Sequence, residues 1–98
     1  MRNTSFDIMY IVIFNASHTE EHPYEKIYDI FETEYGFKNF EIQGDRKVLT
    51  PTTTLIGENS KYKTAEELSQ AIRDRFYPED IVFDRLLVTK TSDYSLVG

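Results

Sequence analysis

Ile8-Met9-Tyr10-Ile11-Val12-Ile13-Phe14, residues 8–14, is the longest apolar run in the chain. It shows no alternation of apolar and polar positions, and it is rich in β-branched and aromatic side chains. Such a strand is covered on both faces, which predicts that residues 6–15 run through the middle of a sheet. The run is far shorter than the ~20 residues that cross a bilayer. With Arg2 ahead of it and Asn15-Ala16-Ser17 behind, it has the outline of a secretory leader. Its composition suits a buried strand better. The Asn-x-Ser matches at Asn3 and Asn15 are then fortuitous.

Downstream, Pro23 suits the first position of a helix, where a missing N–H costs nothing. Tyr24, Ile27, Tyr28, Phe31 and Tyr35 recur at helical spacing and form one apolar stripe. Gly36 falls where a left-handed cap ends the helix, and Phe37 supplies the apolar contact after it. Residues 38–43 read as a short second strand, with Phe40 and Ile42 on one side. Gly44-Asp45 opens a polar excursion, and the threonines of residues 52–56 read as a third strand entered through Pro51. Thr64-Ala65-Glu66-Glu67 is a capping box. Ala65, Leu68, Ile72 and Phe76 follow as the buried stripe of a second helix, which Pro78 stops. Arg73 and Arg75 suit its carbonyl end. Residues 81–90 are the fourth strand, and Asp84-Arg85 breaks its alternation as a bulge would. Tyr94, Leu96 and Val97 make residues 91–98 an apolar tail, suited to adding a strand to an edge of its own sheet or of a partner's.

The order β-α-β-β-α-β predicts an α+β protein: a ferredoxin-like, four-stranded antiparallel sheet with two helices on one face, in a single domain spanning residues 1–98. At 98 residues, folding removes roughly 65% of the unfolded chain's surface from water, enough for one core. The second face of the sheet has no helix left to cover it, so two copies are expected to close over it as a homodimer.

Composition narrows the chemistry. There is no cysteine, which excludes a disulfide scaffold, a thiolate zinc site and a cysteine nucleophile, and which fits a reducing, cytoplasmic setting. The net charge of −6 argues against gripping nucleic acid with the whole surface. His18 and His22, the two histidines, stand four apart, a spacing that could hold a metal on a helix. Pro23 follows at once and a third ligand is not visible nearby, so a polar loop is the plainer reading. Ser17 and His18 are sequence neighbours, which is poor geometry for a nucleophile and its base. No Gly-x-Ser-x-Gly and no glycine-rich phosphate loop is present. Tyr10, Tyr24, Tyr28 and Tyr35 could stack on bases, but the last three lie on the helical stripe and read first as core. Lys38, Arg46, Lys47, Lys61 and Lys63 offer one local basic patch for RNA or DNA. Glu21, Glu25, Asp29 and Glu32 share a helix flank, and this carboxylate row suits a basic protein partner or is a solvated face.

The predicted layout, the opening Tyr10-Ile11-Val12-Ile13-Phe14-Asn15-Ala16-Ser17 and the return Thr52-Thr53-Thr54-Leu55-Ile56 resemble the CRISPR-associated endoribonuclease family that partners the spacer integrase, and in particular its small SinR-like relatives. The resemblance covers about residues 8–90. It implies a homodimer built on the sheet faces, with a C-terminal strand crossing to the partner, and residues 91–98 would be that strand. It also implies an aspartate at the end of the first strand for metal-dependent nuclease activity. Asn15 stands at that position, and an amide has no charge to hold Mg²⁺. Asp7 lies at the wrong end of the strand to replace it.

Three functions follow as expectations. The first is a non-catalytic homodimeric scaffold that engages a protein or nucleic-acid partner and needs no cofactor. The second is a Mg²⁺- or Mn²⁺-dependent endoribonuclease in which Asn15, Ser17, His18 or His22 carries part of the site. The third is an acidic inhibitor or nucleic-acid mimic, as a mobile element would encode, acting through the carboxylate row.

Overall fold

A computed structural model describes residues 9–17 and 23–98. Strand β1 (Met9–Ser17) is followed by α1 (Pro23–Ile30), which runs on through a π-helical turn (Phe31–Tyr35). Then come β2 (Phe40–Gln43), β3 (Arg46–Leu49), β4 (Thr54–Glu58), α2 (Ala65–Phe76) with a 3₁₀ turn (Tyr77–Glu79), and β5 (Val82–Thr91). β1 lies between β4 and β5, antiparallel to both. β2 and β3 form a separate antiparallel hairpin.

The protein is therefore α+β with antiparallel sheets, but the expected single sheet of four strands is corrected to one of three and one of two. The cause is Gly44-Asp45. Gly44 takes φ 67° while Asp45 keeps a negative φ, the pattern of a two-residue type II′ turn. The chain reverses there, and β2 pairs with the unanticipated β3 from Phe40↔Leu49 to Gln43↔Arg46. Ahead of β2, Lys38 still reaches β4, exchanging two 2.9 Å backbone bonds with Ile56. The third strand of the sequence reading starts later than expected, at Thr54, because Thr53 turns the chain at φ 55°.

Tyr10, Val12 and Phe14 point to one side of β1 and are at most 1% exposed. Against them lie Ile27, Phe31 and Tyr35 of α1, Leu68, Ile72 and Phe76 of α2, and Phe37, Leu55, Ile81 and Phe83. Phe31 is the hub. Its ring lies 5.0 Å from Phe76, 5.9 Å from Phe14 and 6.3 Å from both Phe37 and Phe83. Burying each such side chain contributes about 1.5–3 kcal/mol. The predicted α1 stripe holds, with Tyr28 partly buried on the core and Tyr24 at the rim, stacked on Phe14 at 6.1 Å.

Gly36 ends α1 at φ 76° with its N–H on the Glu32 carbonyl, and Phe37 follows fully buried. The cap presses directly on β4: a Cβ at Gly57 would sit 2.4 Å from the Gly36 carbonyl oxygen. At α2, the Thr64 hydroxyl accepts from the Glu67 amide at 3.1 Å. The reciprocal half of the box lands one residue early, with the Glu67 carboxylate accepting from the Lys63 amide at 3.2 Å. Among the described residues no helix is long and apolar enough to cross a membrane.

The opposite side of the sheet was expected to be bare, and here too the expectation is corrected. Residues 94–98 cross its β4 half and add no strand to either edge. The Gln43 side-chain amide donates to the Leu96 carbonyl at 2.8 Å, Arg46 donates to the Gly98 carbonyl at 2.9 Å, and the Tyr94 hydroxyl donates to the Glu41 carboxylate. Under this strap Ile56 is 8% exposed. The β1–β5 half stays open: Ile13 is 40% exposed and Leu87, directly opposite it, 57%.

Candidate functional site

The open half of the sheet is where the sequence-predicted residues at the end of β1 emerge. Alternation puts Ile13 and Asn15 on that side, opposite Leu87 and Arg85 of β5. Together they line a shallow depression of about 250 Å³. Just beyond it the pairing slips, so that Asn15 faces Arg85 but Ala16 faces Phe83. Asp84 is the extra residue of this bulge. Its carboxylate accepts from the Ser17 hydroxyl at 2.7 Å, which pins the end of β1 to β5.

The described side chains here supply hydrogen-bond donors. Asn15 and Arg85 bring amide and guanidinium donors to an apolar rim, which suits a carbonyl or an anion lying across the two strands. The donor set fits a divalent cation poorly, because Asn15 is neutral and faces the positive charge of Arg85. Ser17 is exposed, and its hydroxyl donates directly to the Asp84 carboxylate. His18, Glu21 and His22 lie outside the described residues. Among the described residues no three His, Asp or Glu side chains gather into a metal site.

The rest of the carboxylate row, Glu25, Asp29 and Glu32, is exposed on α1. None of the three forms an ion pair among the described residues. The carboxylates that do pair are others. Glu34, in the π turn, receives two bonds of 2.7 Å from Arg75 of α2. Arg75 also reaches Glu79 at 3.1 Å, and Lys26 of α1 closes on Glu79 at 2.8 Å. The Arg75 hydrogen bond holds Glu34 below its ordinary value, and Lys26 followed by Arg75 does the same for Glu79. This network staples the two helices on their solvent side. Arg75, read from sequence as a complement to the helix dipole, is spent mainly here.

The basic residues form two local groups. Lys47 lies over the Phe40 ring at 4.3 Å, and Lys38 at 5.4 Å. Phe40, Ile42, Lys47 and Leu49 share the side of the hairpin turned away from the strap. Ile42 and Leu49 are 60% and 64% exposed. Lys61 and Lys63 sit instead on the loop before α2, with Lys61 at 5.7 Å from the Tyr62 ring. The Lys63 carbonyl accepts from the Lys90 ammonium at 2.7 Å. Arg46 belongs to neither group, since its guanidinium binds the strap. Beneath the strap, burial lifts the Tyr94 phenol to about 12, reinforced by its bond to Glu41, and that bond holds Glu41 below the usual carboxylate range.

Sequence reasoning did not single out Arg85 and Leu87 as site residues. Only the β1–β5 register brings them to Ile13 and Asn15. The one available signal was the broken alternation at Asp84-Arg85, which marked the bulge but not what it aims. No protein-family model, curated protein or solved structure matches the chain.

Proposed function

We propose that this chain is a non-catalytic, homodimeric binding or scaffold module of the cytoplasm, similar to the CRISPR-associated endoribonuclease family and engaging a protein or nucleic-acid partner. The ferredoxin-like part of this reading draws support from the order β4-β1-β5, from helices following β1 and β4, and from the Lys38 bridge on the outer side of β4. The β2–β3 hairpin is the departure from that plan. The observation that carries the dimer is the half-closed sheet. The chain's own tail shields one half of the second side, while Ile13 and Leu87 leave an apolar patch on the other. A second copy is the simplest way to finish it.

Light scattering on the purified protein tests the reading, with a dimer as the expected result. Ile13→Asp, which puts a charge into the patch, is expected to weaken the dimer and leave the circular dichroism spectrum unchanged. A monomer at every concentration would refute the assembly. Labelled RNA incubated with Mg²⁺ or Mn²⁺ tests the absence of catalysis. Metal-dependent cleavage abolished by Asn15→Ala would replace the scaffold with the nuclease alternative. If a basic protein partner is captured, its loss on reversing Glu25, Asp29 and Glu32 would favour the acidic-mimic alternative.

A further inference from the structure

We infer that the groove between the β2–β3 hairpin and the β4 half of the sheet is a peptide-binding site in which the chain's own tail sits as a resident ligand. From another molecule it takes an extended peptide with tyrosine, a bulky apolar residue and glycine at alternate positions. The inference concerns the strapped half of the sheet. It is independent of the homodimer proposed above, which uses the other half.

The hairpin reads the tail at every second residue. The Glu41 carboxylate accepts from the Tyr94 hydroxyl, the Gln43 amide donates to the Leu96 carbonyl at 2.8 Å, and Arg46 donates to the Gly98 carbonyl at 2.9 Å. Glu41 and Gln43 stand two apart on β2, and Arg46 lies directly opposite Gln43 on β3, so the three side chains make one row on one face of the hairpin. Such a row matches an extended chain, whose residues repeat by two. Two of the three contacts go to main-chain carbonyls, which every sequence carries, so extended backbone is recognised first. Side chains at the same three places add selectivity. Tyr94 offers its hydroxyl to Glu41, and Leu96 lies half-buried beside Ile11, Thr54 and Ile56. At Gly98 a Cβ would sit 2.9 Å from Cγ1 of the buried Val48, so that position is closed to side chains.

The tail holds its seat loosely. Among the described residues no backbone–backbone hydrogen bond ties down residues 94–98. Ser95 and Val97 are exposed. A cavity of about 100 Å³ separates Tyr94, Ser95 and Leu96 from the sheet, so leucine underfills its place. A larger apolar side chain there gains contacts that the resident tail does not make.

The probe is a fluorescent peptide of residues 91–98 with both ends blocked, followed by anisotropy. The full chain carrying Tyr94→Ser and Leu96→Ser keeps the groove and weakens its resident tail. It is expected to bind the peptide, and the parent chain to bind it about tenfold more weakly, because its own tail occupies the site. A peptide carrying Leu96→Phe is expected to bind about fourfold more tightly or better. A peptide carrying Gly98→Val, or the weakened chain carrying Gln43→Ala, is expected to lose at least about fivefold. A weakened chain with the parent's circular dichroism spectrum that shows no binding at about 1 mM would overturn the inference. Equal binding by parent and weakened chains, or binding indifferent to Gln43→Ala, would do the same. A Leu96→Phe peptide that binds no better would overturn the assignment of the larger apolar residue. Should the double variant misfold, Gly98→Val in the full chain is the second weakened form, with the same expectations. None of these readouts depends on the homodimer, so the two readings fail separately.

Discussion

Replacing Gly57 with alanine isolates a purely steric demand. Gly57 is not among the residues with positive φ, so its backbone accepts any side chain. What excludes one is the cap of α1: the new Cβ would lie 2.4 Å from the Gly36 carbonyl oxygen and 2.7 Å from Phe37 Cδ1. Ordinary contacts need close to an ångström more. Neither neighbour can yield freely. The Gly36 amide is bonded to Glu32, Phe37 is fully buried, and Lys38 is tied to Ile56, beside the substitution, by two 2.9 Å bonds. Overpacking of this kind costs about 1–3 kcal/mol. Straining two bridge bonds adds about 1 kcal/mol, and the smaller unfolded-state entropy of alanine returns about 0.5 kcal/mol. The net expectation is a loss of about 2–3 kcal/mol. With a urea slope of about 1–1.5 kcal/mol per molar, the midpoint followed by circular dichroism falls by about 2 M. Gly44→Ala serves as the control, because no atom lies within 4 Å of its Cβ and only its φ of 67° opposes alanine, at about 1 kcal/mol. A Gly57→Ala midpoint within experimental error of the parent, or a larger loss from Gly44→Ala, would refute this account of the cap-to-strand contact.

Thr53 is β-branched and held at φ 55°, so Thr53→Gly should raise stability by about 1 kcal/mol in the same denaturation assay; a destabilised variant would show that its side chain matters more than its strain. Phe31→Ala empties the hub of the aromatic core and should cost about 4 kcal/mol by thermal or chemical unfolding, whereas a loss under about 2 kcal/mol would mean that the surrounding rings collapse into the space. Glu34 and Glu79 have folded values below the ordinary 4.5, so their contribution is present above that pH and fades as pH falls through the lower folded values. Arg75→Met should accordingly flatten the acid limb of the stability curve below pH 4.5, and an unchanged limb would show that the staple does not stabilise the fold.

The elements read well where one residue type has one physical meaning. Pro23, Gly36, Thr64 and Pro78 each mark a helix boundary, and the stripe from Ile27 to Tyr35 can bury itself in only one way. The hairpin was harder. Gly44-Asp45 is a proper II′ signal, but Arg46 and Lys47 after it disguise β3, whose single buried side chain is Val48. The tail was legible as too apolar to leave in water, yet its seat depends on Gln43 and Arg46 of a hairpin that had not been foreseen. The site shows the same limit. Asn15 and Ser17 could be flagged from position alone. Their true neighbours, Arg85 and Asp84, lie some seventy residues away, and a one-residue slip in pairing decides which of them each one meets.

The aromatic hub and the strapped hairpin differ in how tightly they bind the molecule together. Phe14, Phe31, Phe76 and Phe83 link β1, α1, α2 and β5 through mutual ring contacts, so none of those four elements can detach without opening the others. Val48 lies outside that cluster, and the hairpin holds the tail chiefly by three polar bonds. Amide protons of β2 and β3 should therefore exchange through a partial opening well below the global unfolding free energy, while those of β1 should wait for the whole chain to unravel. The protein would then spend brief, recurrent intervals with its β4 half bared and its helical body intact.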